Sequence, residues 1–149
     1  MTPQSFSFFH TPCINICSVA KTIFLVLCSV SGYSQNTAND YIKNGIAKAV
    51  QQNYKGAIQD FNKEIQLHPD SLKAYIYRAY AKEAMRDYKE ALQDYNKAIT
   101  LKPDNAQIYY DRALANYTSG DLKNACLDWK KSIELGLSDA AYMLKKYCK

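Results

Sequence analysis

Between residues 88 and 101 the apolar positions Tyr88, Ala91, Leu92, Tyr95, Ala98 and Ile99 recur three or four apart, with Lys89, Glu90, Gln93, Asn96 and Lys97 between them. That spacing places one apolar stripe along an α-helix. Pro103 ends the pattern, because proline lacks the N–H that would continue it. A break at "MRDY" separates this helix from the preceding amphipathic run, "LKAYIYRAYAKEA". The pattern also occurs earlier. "YKEALQDYNKAITLKPDN" (88–105) is nearly the text of "YKGAIQDFNKEIQLHPDS" (54–71), thirty-four residues upstream. The chain is therefore predicted to repeat one unit of helix, turn, helix.

Three blocks of 34 residues fit in phase: 38–71, 72–105 and 106–139, with residues 140–149 starting a fourth. The eighth place of each block is small (Gly45, Ala79, Ala113), and the twentieth is alanine (Ala57, Ala91, Ala125). The fourth is aromatic (Tyr41, Tyr75, Tyr109), as is the twenty-fourth (Phe61, Tyr95, Trp129). Small residues let two helices approach closely and the rings fill the remaining space. Pro69 and Pro103 stop the second helices of the first two blocks, and Ser71 and Asn105 stand where they can cap the next helix.

This period and pattern resemble the tetratricopeptide repeat. The resemblance covers residues 38–139. It implies an all-α, right-handed α-α superhelix of three repeats (38–71, 72–105, 106–139) with residues 140–149 as a capping helix. One repeat cannot bury its own faces, so the core is expected to form by stacking. Two places depart from the family pattern. Glu64 stands where alanine is usual, which predicts looser packing there, and Leu137 replaces the terminal proline, which predicts a tighter turn into the cap.

The first 39 residues contain no acidic residue. Lys21 is followed by the short apolar run "TIFLVLCSV" and then by "SGYSQN", the order of a secretory leader. Cleavage before Gln35 would make residues 1–34 the signal peptide and leader and 35–37 a short linker. The apolar run falls short of the roughly 20 residues that span a bilayer. An uncleaved anchor is the alternative, a later start at Val19 is compatible, and Leu27 argues against a lipid on Cys28. The chain is thus expected to be exported: periplasmic, outer-membrane-associated or secreted. The segment from "ACLDWKKSIELG" to "KKYC" also resembles exported repeat proteins of bacteria such as Bacteroidetes.

Three of the five cysteines (Cys13, Cys17, Cys28) fall in the leader, leaving Cys126 and Cys148. An even pair in an exported chain suggests a disulfide. Antiparallel neighbouring helices would bring the start of the last repeat's second helix near the end of the cap. A buried thiol at Cys126 with a free one at Cys148 is the alternative. Beyond the leader the net charge is near +4, interleaved along the helices with no dense basic stretch, so nucleic acid is not indicated.

Arg78 and Arg112 occupy place seven of blocks two and three, and Asp60, Asp94 and Asp128 occupy place 23 of every block. Recurrence with the repeat favours ion pairs between the helices of a block over a binding site. No nucleophile, acid/base or metal constellation is legible. His10 lies in the leader and His68 in a turn where exposure is expected, so no enzyme, cofactor or metal is anticipated.

The resemblance implies that binding uses the concave face of the first helices. The positions it carries over include Lys43, Ile46, Lys73, Tyr77, Tyr80, Tyr110, Asp111, Leu114 and Tyr117, together with Ile42, Ile76, Glu83 and Gln107. A tyrosine-lined groove suits a peptide or a partner helix. The family's carboxylate clamp is not matched: its places hold Ile42, Ile46, Tyr77, Gln107 and Asp111. The expected role is a non-enzymatic interaction module for a protein or peptide partner in the cell envelope. The alternative is a structural spacer or self-associating subunit, and the oligomeric state is left open.

Overall fold

The computed structural model describes residues 40–148. The expected leader, its cleavage site and the 35–37 linker lie outside the described residues. Seven α-helices, and no strand, occur among them: α1 (40–50), α2 (Tyr54–Leu67), α3 (Leu72–Ala84), α4 (Tyr88–Leu101), α5 (Ala106–Thr118), α6 (Leu122–Glu134) and α7 (Ala140–Tyr147).

From α2 onward the main packing partners are neighbours along the chain. The buried residues form three clusters. Ala57, Phe61 and Ala81 join α2 to α3, with Ile42 and Ile46 of α1 against them. Tyr75, Ala79, Ala91, Tyr95, Ala98, Ile108 and Ala115 join α3, α4 and α5. Ala113, Ala125, Trp129 and Ala140 join α5, α6 and α7. Each cluster borrows from the following helix, so every repeat completes its core on its neighbour, as an all-α solenoid requires.

The three rings at place 24, Phe61, Tyr95 and Trp129, are buried. Gly45, at place eight where the later repeats have Ala79 and Ala113, has a local reason. A Cβ at residue 45 would stand 2.5 Å from the Phe61 ring. That ring is buried against Tyr77, 6.0 Å away, and has little room to withdraw. Gly45→Ala gains about 1 kcal/mol of helix propensity and incurs about 1–3 kcal/mol of overpacking. Its expected effect is a lower melting temperature; a rise would show that the ring can move aside.

The turns inside the repeats share one device. The fifteenth residue is left-handed in each: Gln52 (φ 61°), Arg86 (φ 62°) and Gly120 (φ 94°). The next N–H then donates back to the preceding helix: Asn53 to Lys48, Asp87 to Lys82, Asp121 to Asn116. This closes the helix ends as a Schellman turn does. Gly136 (φ 99°) with the Leu137 N–H on Ser132 ends α6 the same way, which is how the chain enters α7 without a proline. Between repeats, the Tyr75 and Tyr109 hydroxyls donate to the Pro69 and Pro103 carbonyls at 3.2 and 3.1 Å, fastening the proline turns. Asn105 accepts from the Gln107 N–H, whereas the Ser71 hydroxyl, expected to cap α3, makes no capping hydrogen bond.

The predicted arginine–aspartate pairs form, and each reaches further than its own repeat. Arg78 Nε and Nη2 donate to both oxygens of Asp94 (2.9 and 2.5 Å), and Nη1 donates to Asn62 of the preceding repeat at 2.6 Å. Arg112 repeats this with Asp128 (2.9 and 2.6 Å) and Asn96 (2.6 Å). Place eleven completes the set: Lys48 lies 2.6 Å from Asp60, Lys82 lies 2.8 Å from Asp94, and the Asn116 amide donates to Asp128. Glu64 is buried, with His68 Nδ1 3.4 Å from its Oε1, so His68 is half-buried against α2 and not a freely exposed turn residue.

Candidate functional site

The first helices α1, α3 and α5 share one face. Between α1 and α3 it opens into a hollow of about 240 Å³, lined by Ile46, Ala49 and Val50 of α1, Tyr54 and Phe61 of α2, and Tyr77, Tyr80 and Ala81 of α3. The lining is almost wholly apolar. Val50 is 78% exposed at its edge. Tyr77 stacks on Phe61 and meets Tyr80 edge to face at 6.3 Å, so the aromatic wall is continuous from α2 across α3. Helical spacing brings Ile46, Tyr77 and Tyr80 of the sequence-predicted groove together here.

Tyr80 carries this wall to the third repeat. Its hydroxyl donates to Asp111 Oδ2 at 2.5 Å, and the Gln107 amide donates to Asp111 Oδ1 at 2.8 Å. Beside it, the Tyr95 hydroxyl donates to Glu83 Oε1. Burial pushes both carboxyls above the usual carboxylate range, against the pull of these hydrogen bonds, and the negative charge of Asp111 raises Glu83 further. Burial and the neighbouring carboxylates push the Tyr80 and Tyr95 hydroxyls up as well. Neither Glu83 nor Asp111 has an ion-pair partner among the described residues; Lys82 next door is spent on Asp94 and Glu90. Sequence reasoning placed Glu83 on the inner face but gave no sign of its pairing with Tyr95, which depends on how α3 meets α4.

The raised carboxyls fix a sign for stability. The folded state holds these protons more tightly than the unfolded chain, so their contribution is fully present below the ordinary carboxyl range, near pH 4, and is lost as pH rises through the raised values. Above those raised values both charges are a cost. Glu83→Gln keeps an acceptor for Tyr95 and removes one charge. It is expected to raise the melting temperature at neutral pH, with the gain vanishing at acid pH. A fall at neutral pH would mean that the carboxylate is a structural partner.

The remaining predicted groove residues divide. Lys43 and Lys73 are exposed on α1 and α3. Tyr110 and Leu114 pack against the Trp129 cluster. Tyr117 lies 5.9 Å from the Trp129 ring and 4.6 Å from Tyr147, and so belongs largely to the junction with α7. At that junction Cys126 and Cys148 have Cα atoms 5.8 Å apart and sulfurs at bonding distance. Among the described residues no helix is long and apolar enough to cross a membrane.

A family model described as a TPR repeat matches residues 87–120, which span α4, the turn and α5. The chain is similar in structure to the second TPR domain of human RPAP3, solved with the HSP70 peptide SGPTIEEVD. The TM-score is 0.70 at 24% identity, over 78% of this chain and 98% of that one. It is similar to the Arabidopsis OM64 TPR domain (TM-score 0.70, 21% identity, 76% and 96% covered). A third likeness is to the Yersinia enterocolitica type III secretion chaperone SycD, solved with a peptide of the translocator YopD (TM-score 0.69, 15% identity, 74% and 91% covered). No curated protein sequence matches the chain. At these identities the structural likenesses establish the fold.

Proposed function

The chain being a tetratricopeptide-repeat protein, we propose that it is a non-enzymatic interaction module that holds a protein or peptide partner on the face of α1, α3 and α5, and that it works outside the cytoplasm in the cell envelope. The observation that carries this reading is the open, apolar hollow edged by exposed Val50 and walled by Tyr77 and Tyr80. Exposed aromatic and aliphatic area beside a few fixed polar groups is the usual make-up of a recognition surface. The similar RPAP3 and SycD domains were solved with peptides, which supports the same use here.

Export is supported by the leader pattern and by the Cys126–Cys148 approach, since disulfides persist in oxidising compartments. A C-terminal carboxylate tail is a poor occupant, because Asp111 would repel it.

Partner capture from envelope extracts tests the reading, comparing the parent with Val50→Trp. The new ring would fill the hollow from a position that contributes little to the core. Recovery by the parent and loss by the variant, at equal melting temperature, is the expected result. Equal recovery by both would remove the hollow from the account. A spacer role has one observation in its favour: Leu122 and Leu127 are exposed beside a second hollow between α6 and α7. Concentration-dependent size by light scattering, lost on Leu127→Lys, would identify that face as a self-association surface.

A further inference from the structure

The polarity of the groove narrows its occupant. We propose that the partner is an extended, basic segment that places a bulky apolar side chain in the hollow beside Val50 and Tyr77, and a lysine or arginine side chain against Glu83 and Asp111. This rests on the interaction-module reading above and names the partner's chemistry.

Three observations carry it. The hollow is apolar and of side-chain size, so it selects for hydrophobic bulk and carries no charge preference of its own. The second is charge complementarity. Two carboxylates stand beyond Tyr80 from the hollow, Glu83 half-buried and Asp111 8% exposed, and no lysine or arginine side chain pairs with either among the described residues. Their protein partners are neutral donors from Tyr80, Gln107 and Tyr95, which fix the oxygens in place without cancelling the charge. Glu83 Oε2 receives no hydrogen bond among the described residues. An incoming ammonium or guanidinium would supply the missing charge and donors, and a charge-assisted hydrogen bond is about twice as strong as a neutral one.

The third observation is position. Tyr80 lines the hollow with its ring and holds Asp111 with its hydroxyl, so the two subsites are one tyrosine side chain apart. An extended peptide advances about 3.3 Å per residue, which puts the cation two or three residues from the apolar anchor. The Tyr80 ring itself is a further attraction for a cation. An acidic segment is disfavoured at the same place, since a third carboxylate would meet two that burial already penalises. The arrangement is thus opposite in sign to a carboxylate clamp.

The test is selection of linear peptides of about 12 residues, long enough to extend about 40 Å, from a random displayed library on the full chain. Expected is enrichment of a bulky apolar residue followed or preceded at two or three positions by lysine or arginine. A selected peptide made synthetically should lose at least about tenfold in affinity, or 1.4 kcal/mol, when its cation is replaced by glutamine. It should lose a similar factor against Glu83→Gln/Asp111→Asn, and should weaken with salt. Peptides that are acidic or neutral, yet are lost on Val50→Trp, would overturn the basic-partner inference and leave the groove reading standing. Peptides indifferent to Val50→Trp, or no enrichment at all, would overturn both. Selection of a segment from this chain's own sequence, with the chain dimerising in scattering, would replace the partner by a second copy and overturn the inference.

Discussion

Arg78→Ala is expected to cost about 3 kcal/mol of stability, the order found when one member of a buried pair is removed. At the 4–8 °C per kcal/mol typical of a small domain, the melting temperature should fall by roughly 10 °C or more. Asp94 is the reason. It is 3% exposed and accepts both guanidinium hydrogen bonds, so its charge would be left with Lys82 alone. The loss extends beyond one repeat, because the same guanidinium holds Asn62 across the α2–α3 junction and stacks over the Tyr75 ring at 5.4 Å. Arg78→Lys should recover only part of it, since an ammonium cannot make the two-pronged contact and reach Asn62 together. Chemical denaturation of the three proteins checks this. An unchanged midpoint for Arg78→Ala would show that the ladder is ornamental.

Reducing the Cys126–Cys148 contact, or replacing Cys148 by serine, is expected to cost on the order of 3 kcal/mol, the entropy of closing a loop across a sequence separation of 22. The cost falls on α7, which is short and packs mainly on α6. Its departure would uncover Trp129, which is buried with Tyr147 stacked 6.0 Å away and Tyr117 at 5.9 Å. Trp129 is the single tryptophan of the chain, so its emission reports on this junction directly. A red shift on adding reductant, with a lower melting temperature, is the expected result. Two free thiols in the purified oxidised protein, or emission indifferent to reductant, would remove the bridge from the account.

Both predictions concern features that the repeat made legible to different degrees. Period 34 exposed the small residues at places eight and twenty, the rings at place twenty-four, and the recurrence of arginine with aspartate, because each answers to the geometry within one helix pair. Packing between repeats was less legible. Arg78 reaching Asn62, and Tyr75 reaching the Pro69 carbonyl, depend on how one unit is set against the next. The left-handed residues Gln52 and Arg86 carried no glycine to announce them. Gly45 was visible as small, but its need to lack a Cβ follows from where the Phe61 ring comes to rest.

The candidate site shows the same division. Ile46, Tyr77 and Tyr80 were readable as inner-face positions from helical spacing. Tyr110, Leu114 and Tyr117 are inner-face positions of the third repeat too, Leu114 at the same place as Ile46 and Tyr80, yet the tryptophan in that repeat and the helix that follows draw them into packing. The Tyr80–Asp111 and Tyr95–Glu83 contacts pair groups that the sequence presents separately, Tyr80, Asp111 and Glu83 as inner-face positions and Tyr95 as a core ring.

The proposed function holds a partner on the face of α1, α3 and α5. Hydrogen exchange of the chain, free and bound to a captured partner or selected peptide, tests it most directly. Slowed exchange confined to these three helices, strongest around residues 46–50 and 77–84, is the predicted result. Protection confined to α2, α4 and α6, or to the α6–α7 end, would contradict it.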